Sequence, residues 1–275
     1  DMAMLMLNSI FERTWGQRAG AKPIDDYWRA LIPAVKSKWA AFLFMAEAYW
    51  DLEWELQQQG FDACYDKKLY DRMEHDGAES VRQHLLGDMA YQEKMVRFIE
   101  NHDEPRAAAA FDPAQHHAVA VTALTLPGAR LIHEGQMEGR HVRVPVFLGR
   151  RPNEALDQKL QNFYHQLLEA VQRGDFLNGT WRRCERFGWP DNQSHLNLVG
   201  WCWQAGAAFC LIVVNLSGAA SQGLVRIPLD HLRGKMWRLE DVFTSREYER
   251  SGDEMSGRGL YVDLPPWGFH FFTCS

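Results

Sequence analysis

Apolar runs that stop abruptly on acids and imidazoles organise the first two thirds of this chain. Phe98-Ile99-Glu100-Asn101-His102-Asp103-Glu104-Pro105-Arg106 passes from an apolar run to Asn-His-Asp and then to a Pro turn. This pattern predicts a buried strand, Met95–Glu100, ending at a polar site, the end at which parallel α/β proteins place catalytic groups. A second run, Ala41–Ala46, ends the same way on Glu47. Ala63–Tyr65 and Ala129–His133 read as two further short strands. Helical spacing falls between them, at Met2–Thr14, Asp26–Trp39 with a bend near Pro33, Leu52–Gln59, Glu79–Glu93, Pro113–Leu126 and Glu154–Arg173. Alternation of buried strands with helices implies a parallel sheet with crossover helices.

After about residue 176 the texture changes to short strand candidates separated by Gly, Ser and Asp turns. These are Asn197–Gln204, Phe209–Leu216, Leu224–Pro228, Met236–Val242, Leu260–Leu264 and Gly268–Thr273. They predict an antiparallel all-β domain over 176–275 behind an α/β domain over 1–175. About four strand–helix units precede the boundary, where a closed barrel needs eight.

Composition narrows the function classes. A net charge of -6 in 275 residues provides no basic footprint for nucleic acid, and no run approaches the length of a membrane span. Eleven Trp favour a sugar site only mildly, because core and interface use more of them than carbohydrate sites do. The five cysteines form no C-x-x-C pair and supply no zinc site, and their odd number argues against a full disulfide framework, which points to a reducing compartment and a cytoplasmic location. His116-His117, adjacent on a helix, point in different directions and read as solvated or capping histidines. The chain opens on Asp1, so nothing follows from the lack of a leader sequence.

Carboxylates at successive strand ends point to acid/base and nucleophilic work on a sugar. Taken in order, four blocks resemble the α-amylase family of retaining α-glycoside hydrolases (glycoside hydrolase family 13). Asp1-Met2-Ala3 is similar to the end of the family's fourth-strand Asp-x-Ala motif, and Glu47 falls where the fifth strand presents its acid. Asn101-His102-Asp103 resembles the seventh-strand motif, and Gly135-Gln136-Met137-Glu138-Gly139 the loop after the eighth strand, with Met137 interrupting the usual order. The Arg that the family carries two positions before its nucleophile would fall before Asp1. The resemblance implies the second half of a (β/α)8 TIM barrel followed by an antiparallel β sandwich. It also implies an α-glucan-active hydrolase or transglycosylase working through a covalent glycosyl-enzyme intermediate, with a carbohydrate as partner.

By that resemblance Asp1 is the nucleophile, Glu47 the general acid and base, and Asp103 the carboxylate that holds sugar hydroxyls, assisted by His102. Tyr49 and Trp50 would wall the sugar, with core packing equally expected for Trp50. No cofactor or catalytic metal is implied, and a structural calcium ion is left open. Structural readings stand for other residues: Arg106 paired with Asp103 or Glu104, Asp51, Glu53 and Glu55 on a solvated face, and Trp201 and Trp203 in a sandwich core. A non-catalytic barrel homologue serving as a binding or assembly subunit is the alternative, against which the presence of Glu47, His102 and Asp103 argues. A fragment of a barrel, with open strand edges and an uncovered apolar interior, is expected to be inactive and poorly soluble alone.

Overall fold

The computed structural model describes residues 1–20, 25–145, 147, 149–173, 176 and 179–275; residue 175, at the expected domain boundary, lies outside them. The chain forms two compact units. The first comprises Asp1–Asp71, Gly87–Phe98 and Pro127–Leu131, the second Arg72–Leu86, Ile99–Leu126 and Ile132–Ser275.

The first unit is built on four parallel strands, β1 (Met45–Ala46), β2 (Ala63–Tyr65), β3 (Met95–Arg97) and β4 (Ala129–Arg130), in the order β1-β2-β3-β4. Parallel pairing of successive strands demands crossovers, and helices supply them. In chain order α1 (Asn8–Ala19) and α2 (Tyr27–Lys36) precede β1, and α3 (Glu53–Gln58) joins β1 to β2. β1 is shorter than its apolar run because a side chain interrupts the ladder: the Asp62 carboxylate accepts the Phe44 N–H at 2.8 Å and pairs with Lys36. Upstream of that cap Phe42 and Leu43 stay exposed, as does Met45 in the strand itself.

The N-terminal helix starts later than its periodicity predicts. Ala3–Met6 is a 3-10 turn, α1 runs past Gly16, and Gly20 at φ 80 ends it. Pro33 sits inside α2. Met4, Leu7, Ile32, Ala46, Leu56, Phe61 and Cys64 form one apolar cluster, and the Trp28 indole, edge-on to Phe61, donates to the Ala3 carbonyl at 2.8 Å.

Arg97, wholly buried at the end of β3, holds the strand ends together. Its guanidinium pairs with the equally buried Asp66 just after β2, donates to the Gln92 side chain, and donates from Nε to the Pro127 carbonyl at 2.9 Å. Pro127 leads into Gly128, whose φ of 104 is open to glycine; a Cβ there would meet the Met95 carbonyl at 2.2 Å.

In the second unit the expected helix over 79–93 survives as α5 (Ala78–His84), with the chain returning to the first unit at Gly87 to form α6 (Met89–Gln92) behind the Asp88 N-cap. Between Asp71 and α5, Arg72–Asp76 is a π-helical turn that follows α4 (Lys67–Asp71). After α7 (Ala107–Ala110), helix α8 (Pro113–Thr125) has Pro in its first turn and a continuous buried run from Ala118 to Thr125. α9 (Gln158–Val171) begins at Asp157, whose carboxylate accepts the Lys159 and Leu160 N–H groups at 3.0 Å. It buries Leu160, Phe163, Tyr164, Leu167, Ala170 and Val171, the spacing of one helical face.

Nine antiparallel strands follow: β5 (Thr180–Arg183), β6 (Glu185–Phe187), β7 (Leu198–Ala205), β8 (Ala208–Asn215), β9 (Ser221–Arg226), β10 (Met236–Asp241), β11 (Glu247–Ser251), β12 (Leu260–Leu264) and β13 (Phe269–Cys274). They make a six-stranded sheet, β11-β10-β13-β8-β7-β5, and a three-stranded sheet, β12-β9-β6, with helix α10 (Gly252–Ser256) between β11 and β12. Cys202, Leu211, Val213, Val225, Trp237, Leu239, Val262 and Phe272 belong to the apolar cluster of these strands. Trp201 and Trp203 do not. Strand alternation turns them to the other face, where their indoles donate to Thr125 at the end of α8, at 3.2 Å to the hydroxyl and 2.7 Å to the carbonyl.

All five cysteines, Cys64, Cys184, Cys202, Cys210 and Cys274, are free and buried. Burial pushes the Cys64 thiol up to about 12 and those of Cys184 and Cys274 well above the ordinary thiol value.

Replacing Arg97 by Met leaves the Asp66 carboxylate buried without its cation and is expected to cost about 3–5 kcal/mol of unfolding free energy in urea. Adding Asp66→Leu removes the stranded charge and is expected to recover much of that loss.

Candidate functional site

Glu47 follows directly on β1 and is 7% exposed. The start of the chain runs beside it: Ala3 donates its N–H to the Glu47 carbonyl at 3.0 Å, and Met2 donates its N–H to Glu47 Oε2 at 2.6 Å. The Tyr49 hydroxyl donates to Oε1 at 3.3 Å. Each carboxylate oxygen thus has one donor and keeps a lone-pair direction open. Asp1, exposed, is attached to this pairing through Met2, whose φ is 47.

Beyond Tyr49 the chain turns through two successive left-handed residues, Trp50 at φ 63 and Asp51 at φ 61. Such conformations cost roughly 1–3 kcal/mol each and gather at binding sites. In this chain Trp50 is 57% exposed. Asp51 is held by Lys68, Nζ to Oδ1 at 3.0 Å. Glu53, expected on a solvated face with Asp51 and Glu55, is instead buried in the first turn of α3.

In the second unit, Asn101 is buried and its side-chain oxygen accepts the N–H groups of Asp103 at 2.8 Å and Glu104 at 2.9 Å. This Asx turn holds His102 and Asp103 outward. Their side chains are 47% and 45% exposed, with His102 Nε2 at 3.4 Å from Asp103 Oδ2. Two carboxylate or imidazole groups presented on a rigid turn suit the binding of sugar hydroxyls.

Beneath that turn lies a buried cluster that sequence reasoning missed. Glu100 is fully buried; its Oε2 accepts the Ala107 N–H at 2.7 Å, and its Oε1 meets Arg106 Nη1 at 2.8 Å and His133 Nδ1 at 2.9 Å. Arg106 therefore pairs with Glu100, and not with Asp103 or Glu104; its Nη2 donates to the Glu134 carbonyl at 2.8 Å. Burial pushes the Glu100 carboxyl up to about 7, against the Ala107 N–H and Arg106, which pull it down. His133 is lowered by burial first and then by Arg106 and His102. A single proton fills the Glu100–His133 contact, on Oε1 or on Nδ1. An acid inside an otherwise apolar strand end was the one signal of this cluster in the sequence.

A second buried chain of bonds supports the loop after β4. Gln136 donates to the Tyr164 hydroxyl at 2.8 Å, and that hydroxyl lies 2.8 Å from His116 Nε2. His116 is thus a packed, hydrogen-bonded group, with burial pushing its imidazole down to about 4. His117, in place of a solvated position, stacks on Phe163 with ring centres 4.0 Å apart.

No family model matches the chain. Over 157 residues it is 27% identical to the alpha-amylase MalA of Haloarcula japonica, covering 53% of this chain and 22% of that protein. The maltogenic alpha-amylase AmyB of Thermotoga neapolitana shares its fold with a TM-score of 0.71 at 18% identity, over 95% of this chain and 63% of that one. The alpha-amylase of Geobacillus thermoleovorans, solved with acarbose, shares it with a TM-score of 0.70 at 12% identity, over 90% of this chain and 56% of that one. The chain therefore spans about a fifth of the curated relative and somewhat over half of these solved structures. The fold is that of part of an α-amylase barrel with its trailing β domain, and the resemblance drawn from the motifs is met by relatives of that family.

The buried carboxyl sets a pH signature. Glu100 rises from an unfolded value of 4.5 to about 7, so the folded chain holds its proton more tightly. Its contribution to stability is complete below pH 4.5 and is lost as the pH rises to about 7, on the order of 3 kcal/mol in all. Glu100→Gln cannot titrate, and the unfolding free energy of the wild type relative to the variant is expected to fall over that window and stay flat above it, as urea titrations at successive pH values would show.

Proposed function

We propose that this chain belongs to a retaining α-glycoside hydrolase or transglycosylase acting on α-glucans or related α-glucosides. The observation that carries the reading is the pairing of Met2 and Ala3 with Glu47, which sets the Asp-x-Ala segment alongside a buried carboxylate at a strand end. Retention needs two carboxyl groups roughly 5–5.5 Å apart, one to attack the anomeric carbon and one to protonate the leaving oxygen.

In this reading Asp1 attacks the anomeric carbon while Glu47 gives its proton to the departing sugar oxygen. Glu47 then takes a proton from water or an acceptor sugar as the glycosyl ester is opened, which regenerates both groups. Asp103 and His102 bind ring hydroxyls and hold them more tightly as positive charge develops on the ring. Tyr49 fixes the Glu47 carboxyl, and Trp50, exposed beside it, offers a flat face to a sugar. Domain organisation follows the same pattern, a barrel portion over 1–175 and a β sandwich over 176–275.

The test uses a protein that contains this chain and turns over α-glucosides. Glu47→Gln is expected to reduce kcat on maltooligosaccharides by about 10²–10⁴-fold. An activated aryl α-glucoside, whose leaving group needs little protonation, should lose far less in the bond-breaking step. Equal losses on both substrates would remove Glu47 from the acid role.

A further inference from the structure

A cavity of about 360 Å³ opens beside His102, and its lining is cationic: Arg106, Arg140, Arg143 and Arg151 with His102 and His133, against Glu134 and Glu154. Four guanidinium groups stand against three carboxylates, those of Glu134 and Glu154 and that of the buried Glu100, which pairs with Arg106. Glu134 is taken by Arg151. The Glu154 carboxylate accepts the His141 N–H at 2.7 Å and the Val142 N–H at 3.3 Å, while its backbone carbonyl accepts from Arg140. Among the described residues Arg140 and Arg143 have no carboxylate partner. Burial first, and then Arg106 and His102, lower the pKa of His133.

Gly135, at φ 85, makes the convergence sterically open. A Cβ there would stand 2.4 Å from Arg106 Nη2 and 2.6 Å from Arg140 Cγ, so any other residue would push the two arginines apart. The donors also exceed the acceptors the fold provides. Among the described residues Arg140 donates only from Nη1, to the Glu154 carbonyl, and the exposed Arg143 makes no hydrogen bond. Several guanidinium forks on one small cavity match an oxyanion with many acceptor sites, and phosphate fits that better than a single carboxylate.

We propose that this cavity binds a phosphate group, carried as an ester on an α-glucoside or presented as free phosphate, next to the Asn101-His102-Asp103 turn. Naming a phosphorylated glucoside as substrate class rests on the glycosidase reading; the phosphate site itself does not.

The experiment is calorimetric titration, in low-salt buffer, of a protein that contains this chain with inorganic phosphate, methyl α-glucoside 6-phosphate and methyl α-glucoside. Saturable phosphate binding is expected, weakened about tenfold by Arg143→Gln, the loss of one charge-assisted contact. Arg143→Lys should restore part of it, because the charge returns without the fork. A phosphate ester binding at least tenfold more tightly than both other probes identifies a phosphorylated sugar as occupant, and equal affinity for ester and free phosphate identifies free phosphate. Absence of saturable phosphate binding, or identical affinity in wild type, Arg143→Gln and Arg140→Gln, would overturn the site. Either of those results alongside α-glucoside hydrolysis would leave the glycosidase reading standing, and phosphate binding without hydrolysis would do the reverse.

Discussion

One buried guanidinium carries the parallel sheet. Arg97 and Asp66 are both wholly inaccessible, and two charges at that depth persist only because each satisfies the other and Gln92 and Pro127 take the remaining donors. The ion pair therefore costs the chain desolvation and returns geometry: the residues just after β2, the end of β3 and the turn before β4 are referred to a single planar group. Strands of two or three residues have few ladder bonds of their own to fix their register. A polar clamp at their ends does what longer strands would do by pairing.

The same economy runs through the polar residues at the strand ends. Glu47 is fixed by two backbone N–H groups' worth of pairing from Met2 and Ala3, and Asn101 fixes its own turn by accepting two N–H groups. Neither arrangement leaves the functional side chains free to collapse onto the protein. His102 and Asp103 stay about half exposed while everything beneath them, Glu100, Asn101 and Arg106, is closed off from water. A solvent-facing pair on a buried, charge-balanced base is stiff without being covered.

What the sequence disclosed was local. The order of Glu47, Asn101-His102-Asp103 and the loop after β4 could be read because each closes an apolar run, and α8 because Pro113 opens it and Pro127-Gly128 follows it. What it hid depended on partners far along the chain. The strand over 41–46 is cut to two residues by Asp62, a side chain with no signature in the run itself. His116 is buried by Tyr164, and Arg106 chooses Glu100 and His133 over its acidic neighbours because those lie across from it in the fold. Strand alternation correctly placed Trp201 and Trp203 on one face, but nothing local says which face meets the sandwich core and which meets the end of α8. The edge strand β11, Glu247–Ser251, was invisible for the opposite reason: Tyr248 is its one apolar residue, packed against the apolar cluster, and one residue makes no alternation.

The five thiols give the molecule a built-in record of its own opening. Cys64 lies in the parallel-sheet unit and Cys184, Cys202, Cys210 and Cys274 lie in the strands and turns of the other, every one sealed in the folded state. A thiol reagent can reach them only when the surrounding structure comes apart. The order in which they are consumed is thus a clock with two hands, one for each unit, written into the chain without any label having to be added.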